Sequence, residues 1–384
     1  MRLSYIRFAL TLLTHGAFAQ GPHVCQPVLS NLLTVATAAQ RAAAGAKAIP
    51  PITDQQNGFA WPDTSLGVIR SDSGLVFFAS DGAHHDQNNK YGSVTRTVGT
   101  LDNPLGTGSP VDVVISPNLT VNPNYPIYTY LGGARVHAIP QGAPGAGNLL
   151  IVYHAEINTE TSFYSLLGLA LSTDGGGHWT DLGEIVRPNQ PYREDLAGFD
   201  IGSEPLVVSL DREYFYVYFP DWIANGTTQP TTTTNVSVAR ASIASVYAAA
   251  GAQTPHAAPF SKYFEGEWNQ PGIGGLSTDL NPNAGYAGDP NVAYNSALKR
   301  YVMINDDTQH IAYSESSDGF TWTLPILLGQ DITGITGVNY AVAIGEGTDP
   351  NLLGQEFYVF YTFSSAEGWP GNTLRRFTVT CRAD

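Results

Sequence analysis

A triplet of strand-like segments recurs five times along the chain, and that repeat constrains the fold more than any other feature of the sequence. Its most regular member alternates apolar and polar residues: Ser93-Val-Thr-Arg-Thr-Val98, Gly168-Leu-Ala-Leu-Ser-Thr173, Val236-Ser-Val-Ala-Arg-Ala241, Ile311-Ala-Tyr-Ser-Glu-Ser316 and Arg376-Phe-Thr-Val-Thr380. Their starts lie 75, 68, 75 and 65 residues apart. Period-two alternation belongs to a half-buried strand. Ahead of each lies a denser apolar run, as in a strand covered on both faces: Gly74–Ala79, Asn148–Tyr153, Glu213–Phe219, Arg300–Ile304 and Glu356–Tyr361. Ahead of those again come Ser65–Ile69, Arg135–Ile139, Pro205–Val208, Asn291–Tyr294 and Tyr340–Ile344. A fourth strand follows in several units, for example Val111–Ile115. Five such units predict an all-β, five-bladed β-propeller. Helix does not alternate with strand as a parallel α/β sheet demands. Two packed β-sandwiches are the alternative, and they leave five matched triplets unexplained.

The fifth triplet ends at Thr380, four residues from the C-terminus, so the N-terminal segment near Cys25 is expected to complete the last blade. The chain has two cysteines, Cys25 and Cys381, one near each end of the expected mature protein. In an oxidising compartment such a pair forms a disulfide. Closing so long a loop stabilises by on the order of 4–5 kcal/mol. Arg2 and Arg7 frame an apolar run that ends at Leu13 and is followed by Ala17-Phe-Ala19, which reads as a signal peptide over residues 1–19. The expected organisation is signal peptide 1–19, lead-in and closing segment 20–52, and propeller 53–384, secreted as a monomer. Three sequons, at Asn118, Asn225 and Asn235, are glycan acceptors in a eukaryotic host. Thr227–Thr234 is low in complexity and reads as an exposed loop.

Charged residues make up 13% of the chain and hydrophobic ones 43%, with 20 Tyr and 16 Phe. That is enough apolar surface for a large core. A net charge of −15 argues against nucleic acid or anionic membrane as partner. Low charge combined with many aromatics suits a neutral oligo- or polysaccharide.

In a propeller the first strand of each blade lines a central channel, so residues at the starts of those strands gather at one mouth. These are Asp63 in Trp61-Pro-Asp-Thr, the Gly132-Gly-Ala-Arg135 turn, Glu204 in Gly202-Ser-Glu-Pro, Asp289 in Gly288-Asp-Pro-Asn, and Asn339. Three of these five positions are carboxylic acids in a chain poor in charge. Glycoside hydrolysis uses that set: one carboxylic acid protonates the leaving oxygen and another carboxylate activates water or attacks the sugar. A third beside the acid raises its pKa by like-charge repulsion. Each acid taken singly could equally be a turn residue that caps backbone amides.

Five blades with acids at these positions resemble the five-bladed propeller glycosidases of the arabinanase, β-xylosidase and invertase type. Gly288-Asp-Pro-Asn-Val-Ala-Tyr and Ile311-Ala-Tyr-Ser-Glu-Ser-Ser-Asp-Gly-Phe-Thr-Trp322 are similar to fourth-blade sequence of that group and of endo-D-arabinanases. The resemblance implies that Asp63 is the base or nucleophile. In the arabinanase group an Asp modulator comes next and the Glu acid last, whereas here Glu204 precedes Asp289, so the resemblance leaves their roles open.

Ser172-Thr-Asp-Gly-Gly-Gly-His-Trp179 fits the Asp-box turn of propellers, and Ser316–Trp322 is a shortened relative. Asp boxes also occur in sialidases, which need an arginine cluster for the sugar carboxylate. Only Arg135 stands at a channel-facing strand start. Arg135, His154, Asn339, Trp61 and Trp222 are candidate substrate contacts; Glu156 stands with His154 at the end of a buried strand that can face the site, and for each tryptophan taken singly packing is the favoured reading. His84-His-Asp86 lacks a further ligand at metal spacing. No cofactor is expected, and a structural calcium is left open. Besides hydrolysis, a carbohydrate-binding propeller without catalysis and a polysaccharide lyase with a His154 or Tyr base remain as alternatives.

Overall fold

The computed structural model describes residues 22–44, 47–49, 61–81, 93–108, 110–113, 115–116, 128–158, 162–193, 198–202, 206–223, 234–253, 259–281, 289–306, 309–328, 337–365 and 368–383. The segment 1–19 and the sequon residues Asn118 and Asn225 lie outside them. The chain begins with β1 (Cys25–Thr37), the short helix α1 (Ala38–Ala43) and β2 (Lys47–Ile49). Thr37 caps α1 through a reciprocal pair of hydrogen bonds with Gln40.

Five antiparallel blades follow. The first is β3 (Gly67–Ser71), β4 (Gly74–Asp81), β5 (Ser93–Gly99) and β6 (Val111–Val113), with β2 added in parallel at its outer edge. After β7 (Ile115–Ser116) the second blade is β8 (Tyr130–Ala138), β9 (Leu149–Asn158), β10 (Phe163–Ser172) and β11 (Trp179–Val186). The strand β12 (Phe199–Asp200) pairs with β10 and also with the third blade, so these two blades share one continuous sheet. The third blade is β13 (Leu206–Val208), β14 (Tyr214–Ile223), β15 (Thr234–Ser242), then α2 (Ile243–Ala252) and the hairpin β16 (Ser261–Phe264) and β17 (Glu267–Pro271). The fourth is β18 (Asn291–Asn295), β19 (Arg300–Asp306), β20 (Ile311–Ser316) and β21 (Ile326–Leu328). In the fifth, β22 (Val338–Ile344), β24 (Glu356–Ser365) and β25 (Gly368–Ala383) are completed by β1, while β23 (Leu352–Leu353) joins the edge of β18. The protein is a five-bladed β-propeller, closed by its N-terminal strand as the sequence implied.

The inner strands touch in a ring, β3 against β8, β8 against β13, β13 against β18 and β18 against β22. Five hydrophobic clusters fill the five spaces between neighbouring blades. This explains the dense apolar runs. On β9, Leu149, Ile151, Tyr153, Ala155 and Ile157 pack toward the first blade, while Leu150 and Val152 pack toward the third. A second strand is a wall with core on both faces, so both parities must be apolar.

Closure is covalent as well as hydrogen-bonded. Cys25 and Cys381 form a disulfide that spans 356 residues of sequence, and β1 pairs with β25 from Cys25↔Ala383 to Thr37↔Thr373. The carboxylate of Glu315, fully buried on β20, accepts the backbone N–H groups of Val24 and Cys25 at 2.9 and 2.8 Å. The closing strand is thereby fastened to the fourth blade too.

Both Asp boxes form as expected. Asp174 Oδ1 accepts from Ser172 Oγ and the His178 amide, each at 2.9 Å, and Trp179 is fully buried. Asp318 Oδ1 likewise accepts from Ser316 Oγ and the amides of Phe320 and Thr321, above buried Trp322. Gly175 and Gly176 take φ of 72° and 88° in the first box, where a Cβ would be strained.

Candidate active site

The channel mouth at which the inner strands begin gathers acids and tyrosines around Asp63. This residue precedes β3, and its own amide donates to the Ser80 carbonyl at 2.9 Å, which fixes the turn against the end of β4. The Thr64 hydroxyl accepts the Ser80 amide at 2.9 Å, and the Ser80 hydroxyl is in turn tied to Gly133, accepting its amide at 2.7 Å. Strands β4 and β8, from two neighbouring blades, therefore hold the backbone of Asp63. From β8 the Tyr130 hydroxyl donates to the Asp63 carbonyl at 3.2 Å. From β22 the Tyr340 hydroxyl donates to the carboxylate itself, 2.9 Å from Oδ1.

The carboxyl of Asp63 is held well above the usual carboxylate range. Burial is the largest cause; the Tyr340 hydrogen bond opposes it, and the charges of Glu156, Asp81 and Asp289 add to it. Asp289 acts on the Tyr340 phenol as well, which burial and the two aspartates keep protonated. Asp63 and Asp289, two of the three acids marked by the sequence, thus belong to one electrostatic cluster. Glu204, the third, lies outside the described residues.

Other sequence candidates distribute unevenly. His154 projects from β9 near the mouth, its ring edge-on to Tyr130 at 6.2 Å and its Nδ1 3.9 Å from Glu156 Oε1. Asn339 directs its amide donors to Gly337 O and Ser364 Oγ, at 3.4 and 3.2 Å, within its own blade. Trp61 is 2% exposed and packs between the fifth and first blades with Leu66, Val68, Val342 and Phe360, so it presents no ring face to a ligand. Trp222 stands opposite Asp200 on β14, and its side chain lies outside the described residues. Asn235 is half-buried on β15, with its amide bonded to Asp279 Oδ2 at 3.0 Å.

Arg135 sits farther down β8. It is buried, donates to the Ala343 carbonyl at 3.4 Å, and lines a cavity of about 680 Å³ at the opposite end, where the inner strands finish. His137, Leu206, Tyr247 and Asn351 also line that cavity. Burial lowers the pKa of His137 to about 4, and its ring is hydrogen-bonded to the Tyr247 hydroxyl at 2.8 Å. The described lining of this cavity carries one carboxylate, Asp349. A reaction that needs two acting carboxyl groups fits the Asp63 mouth and not this cavity.

Besides Glu156, read from the sequence together with His154, the structure adds acids that sequence reading missed. Second strands carry an acid at or within two residues of their ends in the first four blades: Asp81 on β4, Glu156 on β9, Asp221 on β14 and Asp306 on β19. Asp81 lies 3.9 Å from buried Arg41 of α1, and Asp221 is paired with buried Lys262 at 3.3 Å. Asp306 Oδ2 accepts the Ala341 amide at 2.8 Å. Tyr340 is one residue from the position the sequence selected, Asn339. Among the described residues no three His, Cys, Asp or Glu side chains cluster in a way that would hold a metal ion. Among them, too, no helix is long and apolar enough to cross a membrane.

No known protein family matches the sequence, and no curated protein does. Among solved structures the chain is similar to the catalytic domain of a Coprinopsis cinerea GH62 α-L-arabinofuranosidase, at 11% identity over 94% of this chain and 99% of that one, with a TM-score of 0.45. It is also similar to the Fusarium graminearum GH93 α-L-arabinofuranosidase in complex with arabinobiose, at 10% identity over 83% and 92% of the two chains, with a TM-score of 0.42. An exo-β-1,3-galactanase from Phanerochaete chrysosporium is similar at 10% identity over 94% of this chain and 67% of that one, with a TM-score of 0.43.

Proposed function

We propose that this protein is a secreted glycoside hydrolase that cleaves a neutral, furanose-containing polysaccharide at the Asp63 mouth. The observation that carries this reading is the environment of Asp63: a half-buried, poorly solvated carboxyl, hydrogen-bonded by Tyr340 and repelled by Glu156, Asp81 and Asp289. Such crowding stores no stability, because like charges near a poorly solvated carboxyl oppose its ionisation. It suits a group whose proton has to move within the working pH range. The Cys25–Cys381 disulfide supports an oxidising compartment and hence secretion.

In this mechanism Asp63, once ionised, takes the proton of an attacking water or attacks the anomeric carbon. Glu204 gives its proton to the leaving glycosidic oxygen, and Asp289 sets the proton affinities and binds sugar hydroxyls. His154 adds a donor at the rim, while Tyr130 holds the Asp63 backbone. A separation of about 5–5.5 Å between the two acting carboxyl groups gives retention, and about 6.5–9.5 Å leaves room for water and gives inversion. The resemblance to the arabinanase group supports the role of base for Asp63 and with it inversion.

The test is release of reducing ends from a panel of arabinans, galactans and xylans. Wild-type protein is expected to release them from at least one. Asp63→Asn is expected to lose about 10²–10⁴-fold of that rate with its fold intact. Binding without cleavage would mark a lectin-like propeller, and unsaturated products would mark a lyase; either outcome overturns the reading.

A further inference from the structure

Tyr340 has a backbone that its side chain does not favour. It stands inside β22 with φ of 59°, in the left-handed region where a bulky residue is rare. The register explains how it gets there. Asn339 faces Thr362 and Val342 faces Phe360, so β22 carries one residue more than β24 across this stretch. That is a β-bulge, and it turns the strand locally to re-aim a side chain. The side chain so aimed is the phenol that reaches Asp63 Oδ1. The bulge also takes the Ala341 amide out of the ladder, and the carboxylate of Asp306 receives it at 2.8 Å. Asp306 is 4% exposed and belongs to the neighbouring fourth blade. A backbone held in a sparsely populated conformation at a functional site persists only when its surroundings fix it. Here a buried acid from one blade fixes a bulge in the next, and the bulge delivers a hydroxyl to the first.

We propose that Tyr340 and Asp306 are positioning residues for Asp63: Asp306 locks the bulge, and the bulged Tyr340 occupies one carboxylate oxygen, so that proton exchange is confined to the other. The catalytic part of this proposal rests on the hydrolase reading above. The bulge and its hydrogen bonds do not. The Tyr340 phenol remains protonated and is therefore a constant donor. Its bond favours ionised Asp63 against the burial and the three neighbouring charges that disfavour it. Without it the Asp63 proton binds more tightly, and the ionised form appears only at higher pH.

The experiment follows the Asp63 proton directly, by carboxyl ¹³C NMR titration of aspartate-labelled protein without substrate. The Asp63 signal is assigned by its loss in Asp63→Asn. In Tyr340→Phe, which removes only the hydroxyl, the Asp63 midpoint is expected to rise by about one pH unit. Asp306→Ala is expected to shift it in the same direction, and Asp306→Asn, which keeps an acceptor for the Ala341 amide, to recover most of the shift. In a cleavage assay the acid limb of kcat/KM is expected to move up by the same amount in Tyr340→Phe, with kcat lowered about 10-fold and KM little changed. An Asp63 midpoint equal to wild type in folded Tyr340→Phe would overturn the proposal. So would equal midpoints in Asp306→Ala and Asp306→Asn. If the wild type cleaves nothing, the hydrolase reading fails while the titration still decides the role of Tyr340.

Discussion

At the scale of single residues, Asp63 ties function to a cost in stability. Its folded-state pKa lies above its unfolded value, so the folded protein holds this proton more tightly. The associated stability is fully present below the ordinary carboxylate range and is lost as pH rises through the raised pKa. Asp63→Asn, which keeps the shape without the charge, is therefore expected to melt at a higher temperature than wild type at pH 7. The difference should vanish near pH 3, and thermal unfolding at the two pH values checks it. The neighbours act with the opposite sign. Neutralising a like charge lowers the Asp63 pKa, so Asp289→Asn and Glu156→Gln are expected to move the acid limb of the rate profile to lower pH. An unmoved limb in both would separate those acids from Asp63. The two variants should also differ in rate, because Asp289 is assigned a sugar contact and Glu156 only a field.

Elements carry these residues, and their legibility differed. The strand triplets were readable because each strand class has its own burial pattern: walls apolar on both faces, third strands alternating, turns marked by Asp boxes. Asp63 and Asp289 were readable because they precede inner strands. Tyr340 was not, since Asn339 was chosen as the residue before the strand, and it is a one-residue bulge in β22 that turns the next side chain to Asp63. Asp81 and Asp306 were hidden at the ends of apolar runs that read simply as core. Of the two readings open for Trp61, sugar contact and packing, the structure supports packing: the space between two blades absorbs it. Gly132 was read as part of a turn, yet it lies inside β8 and has a packing reason to be small. A Cβ on Gly132 would collide with the Tyr130 hydroxyl and lie 2.5 Å from Ser80 Oγ. Gly132→Ala should accordingly displace Tyr130 from Asp63, at a cost of about 1–3 kcal/mol in stability. A fall in melting temperature together with reduced cleavage is the expected outcome.

At the scale of the whole molecule, a ring of blades is as strong as its closure. β1 is the outer strand of the fifth blade, fixed by the disulfide, by its ladder to β25 and by the carboxylate of Glu315. Cys381→Ser removes the covalent link and is expected to cost on the order of 4–5 kcal/mol, read as a lower melting temperature with the Asp63 mouth still active. Glu315→Ala leaves the buried Cys25 amide and the half-buried Val24 amide without their acceptor and should destabilise by about 2–4 kcal/mol through the same strand. Because both act on closure, the double variant should lose less than the sum of the two. Additive losses would mean that β1 is held at two independent places.

The same ring has two mouths of different chemistry: acids and tyrosines around Asp63 where the inner strands begin, and a cavity with Arg135, His137 and Tyr247 where they end. The measurement that tests the central claim most directly is a crystal structure of Asp63→Asn with a bound oligosaccharide from the polysaccharide that the wild type cleaves. The expected result is a glycosidic oxygen at the first mouth, within hydrogen-bonding reach of position 63 or of Glu204, with Asp289 and His154 touching sugar hydroxyls. An oligosaccharide seated only in the cavity at the far end, with the Asp63 mouth empty, would contradict it.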